Sequence, residues 1–322
     1  MENYEKIFRE NTRNAYEGVV YFKKDGKGYN VQYGIDLDKK IACGGVTKLF
    51  TIACILRLIE EKKLILDSKI TNYLDDEQVS GLCSIKGTDY SKEIKIRDLL
   101  YQTSGFNDYF DARVKPIIGK SDMGYTFDDK LIWTKSLGGN NKPGKTAQYS
   151  NLNVDLLTYI LEKVTGKKLK EIYTEYIIRP LALKRTYLAE ENSKYMPALY
   201  LDGRAQKRPF VLISSYGSGG LISTPRDLMK FIMGFFSGWI FEETLIDKLK
   251  DFGSMENGYG NILYGGGLMK LKCKREILGQ FGYTGAFVFA DPKNKIYCTG
   301  YLAQDGGNQI LPKMITEMFD KI

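Results

Sequence analysis

The chain contains no histidine among its 322 residues. This absence excludes Ser-His-Asp and Cys-His catalysis, since both need an imidazole, and it disfavours zinc and non-haem iron sites. A general base would have to be lysine, tyrosine, aspartate or glutamate. We therefore expect no metal and no other cofactor.

Cysteine is also scarce. There are five cysteines, an odd number, and none of them forms a C-x-x-C pair. A disulfide framework is therefore not expected. Cys54 stands within an apolar helical stretch and Cys298 within a strand-like run, where thiols usually serve as small buried hydrophobes.

Long runs of a single charge and long apolar runs are missing as well. The 47 basic and 39 acidic residues are interspersed and give a net charge of +8. No nucleic-acid motif is present, so we expect no nucleic-acid partner. The most apolar stretch, residues 231–241, is interrupted by Gly234 and Gly238 and is too short to span a membrane. Residues 1–6 do not resemble a signal peptide. We expect a soluble protein, either cytoplasmic or exported with its leader removed, whose oligomeric state is open.

The most informative segment that is present reads Gly-Val-Thr-Lys at residues 45–48, followed by an apolar helical stretch from Leu49 to Leu58. In an S-x-x-K motif the serine and the lysine project from one face at the start of a helix, so the lysine can activate the hydroxyl. Here Lys48 has kept its place, and Gly45 stands where the serine would be.

Two further motifs follow in the chain. The first is Tyr-Ser-Asn at residues 149–151, between a turn-rich segment and a periodic apolar helix predicted over 152–164. The second is Gly-Tyr-Thr-Gly at residues 282–285, immediately before a strand-like run at 286–290. A tyrosine can assist a lysine base in proton transfer, and the first N–H groups of such a strand could face a substrate carbonyl.

Taken in order, these motifs resemble those of the penicillin-recognising serine hydrolases, in the branch of class C β-lactamases, D-alanyl-D-alanine carboxypeptidases and related esterases. The family's connecting phrases are recognisable at residues 62–67, 99–105, 179–183 and 219–224. The resemblance extends over nearly the whole chain.

The resemblance implies an α/β (α+β) fold, in which an antiparallel sheet built from both chain ends is flanked by helices and a mostly helical subdomain is inserted. Residues 1–67 and 206–322 would form the sheet domain and residues 68–205 the helical domain, with the active cleft between them. The sequence pattern itself predicts a hairpin near the N-terminus. It also predicts later strands at 265–271, 276–279, 286–290 and 296–302, and a closing helix over 309–320.

Carried over position by position, the resemblance assigns Gly45 to the nucleophile's place, Lys48 to the base and Tyr149 to a second proton shuttle. Asn151 would contact a substrate amide. Thr284 and Gly285 would line an edge strand on which the substrate docks. The backbone N–H groups of Gly45 and Ala286 would form the oxyanion hole. Tyr109, which follows the turn at 103–105, is a further candidate at the substrate entrance.

Three positions depart from the family pattern. Gly45 has no hydroxyl, so an acyl-enzyme cannot form there. Tyr283 stands where the family usually has lysine or histidine, and a neutral phenol weakens recognition of a substrate carboxylate. Gln102 replaces a histidine, and we expect a structural role in which the amide takes over the imidazole's hydrogen bonds.

Two interpretations remain open. The chain is either a serine hydrolase of β-lactams, D-amino-acid peptides or esters that lacks only its nucleophile, or a non-catalytic homologue that binds a peptide, a cell-wall fragment or a protein partner in the same cleft. In either case the ligand would be a small molecule or peptide with a carbonyl centre. Gly45 could result from deliberate replacement or from natural divergence, and the additional changes at Tyr283 and Gln102 favour divergence.

Overall fold

The computed structural model of the protein describes residues 2–13, 15–201, 204–256, 258, 260–303 and 307–321. Within these residues, strands and helices alternate in a way that places most strands at the two ends of the chain and most helices between them.

The strands belong to one large sheet and several small ones. In chain order they are β1 Glu17–Lys24, β2 Lys27–Tyr33, β3 Ile41–Ala42, β4 Ser84–Ile85, β5 Thr88–Asp89, β6 Tyr187–Leu188, β7 Leu199–Leu201, β8 Arg204–Gln206, β9 Leu221–Ser223, β10 Ile262–Tyr264, β11 Met269–Leu271, β12 Ile277–Phe281, β13 Ala286–Asp291 and β14 Ile296–Ala303. Across the described residues the large sheet has seven strands in the order β10-β11-β12-β13-β14-β1-β2. Every pairing in it is antiparallel.

The α-helices cover both faces of this sheet and build the region beside it. In chain order they are α1 Glu2–Asn11, α2 Thr47–Glu60, α3 Asp76–Val79, α4 Ile96–Leu100, α5 Lys115–Ile118, α6 Phe127–Leu137, α7 Asn151–Thr165, α8 Leu169–Tyr173, α9 Pro209–Gly219, α10 Pro225–Phe236 and α11 Gly307–Phe319. A 3-10 turn, Gly44–Val46, leads directly into α2.

The residues of β13 show how the sheet separates two cores. Successive side chains of a strand point to opposite faces. Ala286, Val288 and Ala290 accordingly join the core formed with α2, α7 and α10. Phe287 and Phe289 join the core formed with α1 and α11. This alternation buries both faces of the central strands and fixes the position of the turn that precedes β13.

The predicted fold class is confirmed, and several local predictions hold. The N-terminal hairpin forms as β1 and β2. The motif helix is α2, and the helix predicted over 152–164 is α7, which ends at Gly166 in a left-handed conformation with φ 67°. The predicted closing helix is α11. The apolar pattern placed Ile310 on its inner side, but Leu311 packs in the core and Ile310 is only half-buried.

Two predictions about the sheet were wrong. The strand predicted over 265–271 covers only β11, because Gly265 and Gly267 form a turn in which the N–H of Gly267 donates to the carbonyl of Gly265. Thr284 and Gly285 do not lie on an edge strand. They lie in the turn between β12 and β13, two interior strands, and the sheet edges are β10 and β2.

The cysteines are free thiols. Four are buried as expected, and Cys273 is partly exposed. Among the described residues, no helix is long and apolar enough to cross a bilayer.

Candidate functional site

The Gly45 and Lys48 positions are set by a short strand and a tight turn. Strand β3 pairs with β9, and the chain then turns at Gly44, which has a φ of 49°. Thr47 closes the turn, with its side-chain oxygen accepting a hydrogen bond from the N–H of Leu221. Gly45, in the 3-10 turn, and Lys48, in the first turn of α2, thereby both reach the same cavity.

Lys48 is a buried cationic side chain held by the main chain. Its exposed fraction is only 2%, and its Nζ donates a hydrogen bond of 2.6 Å to the carbonyl oxygen of Ser218. Burial lowers the pKa of Lys48 to about 8, although the carboxylates of Asp155 and Asp108 oppose that shift. A lysine with such a pKa loses its proton more readily than an exposed one, which suits it to a base or a hydrogen-bonding role.

Tyr149 lies over this ammonium group. The Nζ of Lys48 is 5.5 Å from the centre of the Tyr149 ring, within the range of a cation–π contact. The hydroxyl of Tyr149 donates to the Oδ1 of Asn151 at 3.3 Å. Burial raises the pKa of Tyr149 well above its ordinary value, so the phenol is neutral at pH 7.

Asp108 is a residue of this site that the sequence analysis did not single out. Its Oδ1 accepts from the backbone N–H of Asn151 at 2.9 Å, and its Oδ2 accepts from the Asn151 side-chain amide at 3.1 Å. The carboxylate therefore caps the start of α7 from a distant part of the chain. Burial raises the pKa of Asp108 to about 6. In the sequence, Asp108 follows the recognisable segment 99–105 by three residues, and this nearness was the one sign that it could belong to the site. The neighbouring sequence does not show that its carboxylate would contact Asn151.

Gln102 has the structural role expected from the sequence. It is fully buried, and its Oε1 accepts from the N–H of Ser150 at 2.8 Å and from the Nδ2 of Asn153 at 2.7 Å. These bonds fix the backbone that follows Tyr149. Gln102 itself adopts a left-handed conformation, with φ 59°.

The candidate residues converge on one cavity of about 360 Å³. Of the residues proposed from the sequence, those that line it are Gly45, Lys48, Tyr149, Asn151, Tyr283 and Thr284. Further polar groups are Asp108, Asp111, Lys115, Ser215 and Ser218. The apolar wall includes Phe110, Ile118, Leu199, Val211, Leu212, Met255, Ile262, Met269 and Phe281. A few polar groups within apolar walls are typical of a small-molecule site.

Three of the residues proposed from the sequence do not line this cavity. Tyr109 was expected at the entrance, but it is fully buried and its hydroxyl donates to the Oδ2 of Asp155 at 2.8 Å. Gly285 packs against Leu302, so closely that an added Cβ would lie 2.1 Å from the Leu302 carbonyl oxygen. Ala286 is buried in the interior strand β13. Tyr109 and Gly285 were wrong as substrate contacts, and the turn before β13 presents residues 283 and 284 to the cavity instead. The role predicted for Ala286 concerns its backbone N–H and stays a prediction.

Tyr283 and Thr284 have different surroundings in that turn. Tyr283 is 45% exposed, and its ring meets the Phe110 ring edge-on at 6.4 Å between centroids. The hydroxyl of Thr284 donates to the carbonyl oxygen of Ala42 at 2.8 Å. Thr284 therefore ties the β12–β13 turn to the end of β3, while Tyr283 remains accessible at the cavity.

The backbone of this turn approaches Gly45 very closely. A Cβ on residue 45 would lie 2.6 Å from the carbonyl oxygen of Phe281 and 3.1 Å from the Cα of Gly282. Contacts below 3.0 Å are essentially never observed for a Cβ, and a backbone atom cannot swing aside as the end of a side chain can. Any side chain at residue 45 therefore requires the end of β12 to move.

An antiparallel sheet flanked by helices, with a buried lysine and a tyrosine around one cavity beside it, is the architecture of the β-lactamase-like serine hydrolases. The sequence profile of the family described as Beta-lactamase matches residues 10–321. The chain therefore belongs to the beta-lactamase family.

Similar proteins include a hydrolase and two amide-cleaving enzymes. The chain is 27% identical to the teichoic acid D-alanine hydrolase of Staphylococcus aureus over 273 residues, which cover 79% of this chain and 63% of that protein. A D-amino acid amidase from Ochrobactrum anthropi SV3 superposes with a TM-score of 0.83 at 19% identity, covering 99% of this chain and 98% of that one. A D-stereospecific amidohydrolase from Streptomyces sp. superposes with a TM-score of 0.81 at 22% identity, covering 96% of each chain.

The structural similarities and the sequence similarity support different conclusions. At 19% and 22% identity, the two structural similarities show the shared fold. In sequence, the chain spans 63% of the length of the teichoic acid D-alanine hydrolase.

Proposed function

We propose that this chain binds a carbonyl-containing ligand in the cavity around Lys48 without forming an acyl-enzyme. In this proposal Gly45 occupies the place of the nucleophilic serine. No hydroxyl is available there to attack a carbonyl carbon. Loss of the nucleophile costs roughly 10⁶ in rate in a well-studied serine protease, so we expect negligible acyl transfer.

The observation that carries the proposal is the closeness of Gly45 to the end of β12. A site in which glycine had merely replaced a serine would keep the space for the serine side chain. Here the carbonyl oxygen of Phe281 lies 2.6 Å from the position of a residue-45 Cβ. That geometry favours a site whose backbone is packed around glycine over a hydrolase site that lacks only the serine side chain.

The other polar groups of the cavity would then act as ligand-binding groups. Tyr149 and Asn151 offer a hydroxyl and an amide to a ligand carbonyl or amide, and Lys48 adds a buried ammonium group beside them. The apolar wall would bury the remainder of the ligand, which contributes about 25 cal/mol per Å² of apolar surface removed from water.

We propose a D-amino-acid derivative, such as a D-alanyl ester or amide, as the first ligand class to test. By their names, the similar proteins include a teichoic acid D-alanine hydrolase, a D-amino acid amidase and a D-stereospecific amidohydrolase. Because Tyr283 supplies a neutral hydroxyl where the family usually has a cation, a ligand whose acyl end is an uncharged ester or amide should bind better than one with a free carboxylate.

A second candidate function is a hydrolase that lacks only its nucleophile. It is favoured by the retained base, since burial lowers the pKa of Lys48 to about 8 and the Tyr149 ring lies 5.5 Å from its Nζ. In this reading a serine at residue 45 would restore acylation of β-lactams, D-amino-acid peptides or esters.

Gly45→Ser and Gly45→Ala together separate the two functions. Both variants add a Cβ, and only one adds a hydroxyl, so alanine is the matched control for the steric effect. We expect both to lower the melting temperature to a similar extent and neither to be labelled by a fluorescent penicillin or to hydrolyse an activated ester. Labelling of a folded Gly45→Ser protein, but not of Gly45→Ala, would establish the hydrolase function instead.

Binding by the unmodified chain is measured directly. Titration calorimetry with D-alanine methyl ester, its L-enantiomer and free D-alanine tests the ligand class. We expect heat of binding with the D-ester and weaker binding of the free carboxylate. If the Asn151→Leu variant binds the ester as well as the unmodified chain does, the ligand is not held in this cavity.

A further inference from the structure

A second cavity lies on the other side of α9 from the first. Its volume is about 230 Å³, and it is enclosed by α6, α7 and α9. Among the described residues, the two cavities have no lining residue in common. Val211 and Ser215 face the first cavity from α9, and Ile213 and Tyr216 face the second.

The charged side chains that line the second cavity, Lys130, Asp155 and Glu162, carry a net negative charge. Lys130 and Asp155 form a buried ion pair with 2.8 Å between Nζ and Oδ1, so their charges cancel. Glu162 remains as a carboxylate at the partly exposed side of the cavity. Electrostatically, the cavity favours a cation over an anion.

Glu162 has acceptor capacity left over. Its Oε1 accepts hydrogen bonds from the hydroxyl of Tyr216 and from the N–H of Leu169, both at 2.9 Å. Within the described part of the chain, its Oε2 receives no hydrogen bond. A carboxylate oriented by two bonds on one oxygen can receive a ligand's positive group on the other.

The remaining walls are largely aromatic. Phe127 and Tyr159 stack at 4.8 Å between centroids, and Tyr125 and Tyr216 add two further rings. Thr158, Ile213 and Ser214 form the rest of the lining. Faces of such rings attract cations, most strongly where water is excluded.

The protein's own lysines already use two of these rings. The Nζ of Lys130 is 5.6 Å from the centre of the Tyr125 ring, and the Nζ of the exposed Lys163 is 5.5 Å from the centre of the Tyr159 ring. Both distances lie in the cation–π range of about 6 Å. Lys163 would therefore compete with a ligand cation for Tyr159.

We propose that this cavity is a second binding site, which takes a small organic cation such as a primary or quaternary ammonium compound with an apolar or aromatic body. The carboxylate of Glu162 would pair with the cation, and the aromatic walls would cover its body. The volume lies below the range of about 300–1,000 Å³ typical of drug-sized ligands, so the ligand is small. This site is independent of the function proposed for the first cavity.

The test uses benzyltrimethylammonium as the probe and the full chain as the protein, with titration calorimetry as the measurement. Benzyl alcohol is the neutral comparison of similar shape. We expect the cation to bind and the alcohol to bind much more weakly. Glu162→Gln should weaken cation binding by about fivefold or more, and Lys163→Met should strengthen it because the competing ammonium group is gone.

Two controls locate the bound probe. Glu162→Gln keeps an oxygen acceptor for Tyr216 and Leu169, and its melting temperature verifies the fold. Should that variant unfold, Tyr159→Leu removes a ring face instead and should also weaken binding. Asp111→Asn removes a carboxylate of the first cavity and should leave the affinity for benzyltrimethylammonium unchanged. The proposal is overturned if the unmodified chain does not bind the cation, if the alcohol binds equally well, or if Asp111→Asn alone abolishes binding.

Discussion

Gly45 and Gly282 pack backbone against backbone, so that a Cβ on Gly282 would lie 2.5 Å from the nitrogen of Gly45. The same hypothetical atom would lie 2.7 Å from the carbonyl oxygen of Cys43. The absence of a side chain at each glycine thus allows the main chain of the other to approach. The 3-10 turn before α2 and the end of β12 therefore form a tight junction, at the residue that we propose occupies the place of the nucleophile.

Replacement of the second glycine tests this junction. We predict that Gly282→Ala lowers the free energy of unfolding by about 1–3 kcal/mol, because overpacked backbone must move apart. Urea denaturation measures the change. Gly253→Ala is the matched control, since nothing lies within 4 Å of an added Cβ there. Equal stability of the two variants would show that the junction opens at no cost.

The buried ammonium group predicts a pH dependence of stability. Burial lowers the pKa of Lys48 from 10.5 to about 8, so between these values the unfolded chain binds more protons than the folded one. Stability from this group therefore rises as the pH increases from about 8 to 10.5, by up to about 1.4 kcal/mol per pH unit.

To isolate this effect, the free energy of unfolding of the unmodified chain and of Lys48→Met is measured by urea denaturation at several pH values from 7 to 10. The difference in stability between them should shift in favour of the unmodified chain as the pH rises. Lys120→Met, at an exposed lysine, should show no such trend. A constant difference for Lys48→Met would mean that the lysine titrates normally.

Asp108 predicts a trend of opposite sign in acid. Burial raises the pKa of Asp108 from 3.8 to about 6, so the folded chain binds the extra proton in this window. The stability from this group is complete below pH 4 and is lost as the pH rises to about 6. In Asp108→Asn this loss should disappear from urea denaturation curves taken between pH 4 and 7. Asp247→Asn, at a largely exposed carboxylate, should leave the pH profile as it is.

Gln102 predicts a large loss of stability from a small change. In Gln102→Leu the N–H of Ser150 loses its acceptor, and the Asn153 amide keeps only its 3.3 Å bond to the Ser150 carbonyl. An unsatisfied buried donor costs about 1–3 kcal/mol. We expect the melting temperature to fall clearly. Gln32→Leu is the control, because the side-chain bond between Asn30 and Gln32 is exposed. A melting temperature unchanged in Gln102→Leu would contradict the structural role of that amide.

Much of the architecture could be predicted from local sequence patterns. A short, strand-like apolar run predicted β13, and apolar helical stretches predicted α2, α7 and α11, because these elements bury whole faces. The glycine turn at 265–267 was misjudged as strand because small apolar residues carry no clear period.

The site was harder to predict, because its decisive contacts join distant segments. Resemblance placed Gly45, Lys48 and Tyr149 near one another, and all three line the cavity. The cap that Asp108 gives to α7 and the approach of Phe281 to Gly45 depend on tertiary packing, which no local pattern encodes. Tyr109 shows the converse error, since its neighbour Asp108 reaches the cavity while its own ring turns to the buried Asp155.

The acceptor of the Lys48 ammonium group is a main-chain oxygen, at Ser218. No replacement of the side chain at residue 218 can abolish that acceptor, so the bond between α2 and α9 is protected from most single mutations. A lysine anchored in this way joins α2 to α9 whether or not the protein turns over a substrate. Its presence in the sequence is therefore no measure of whether the protein is an enzyme.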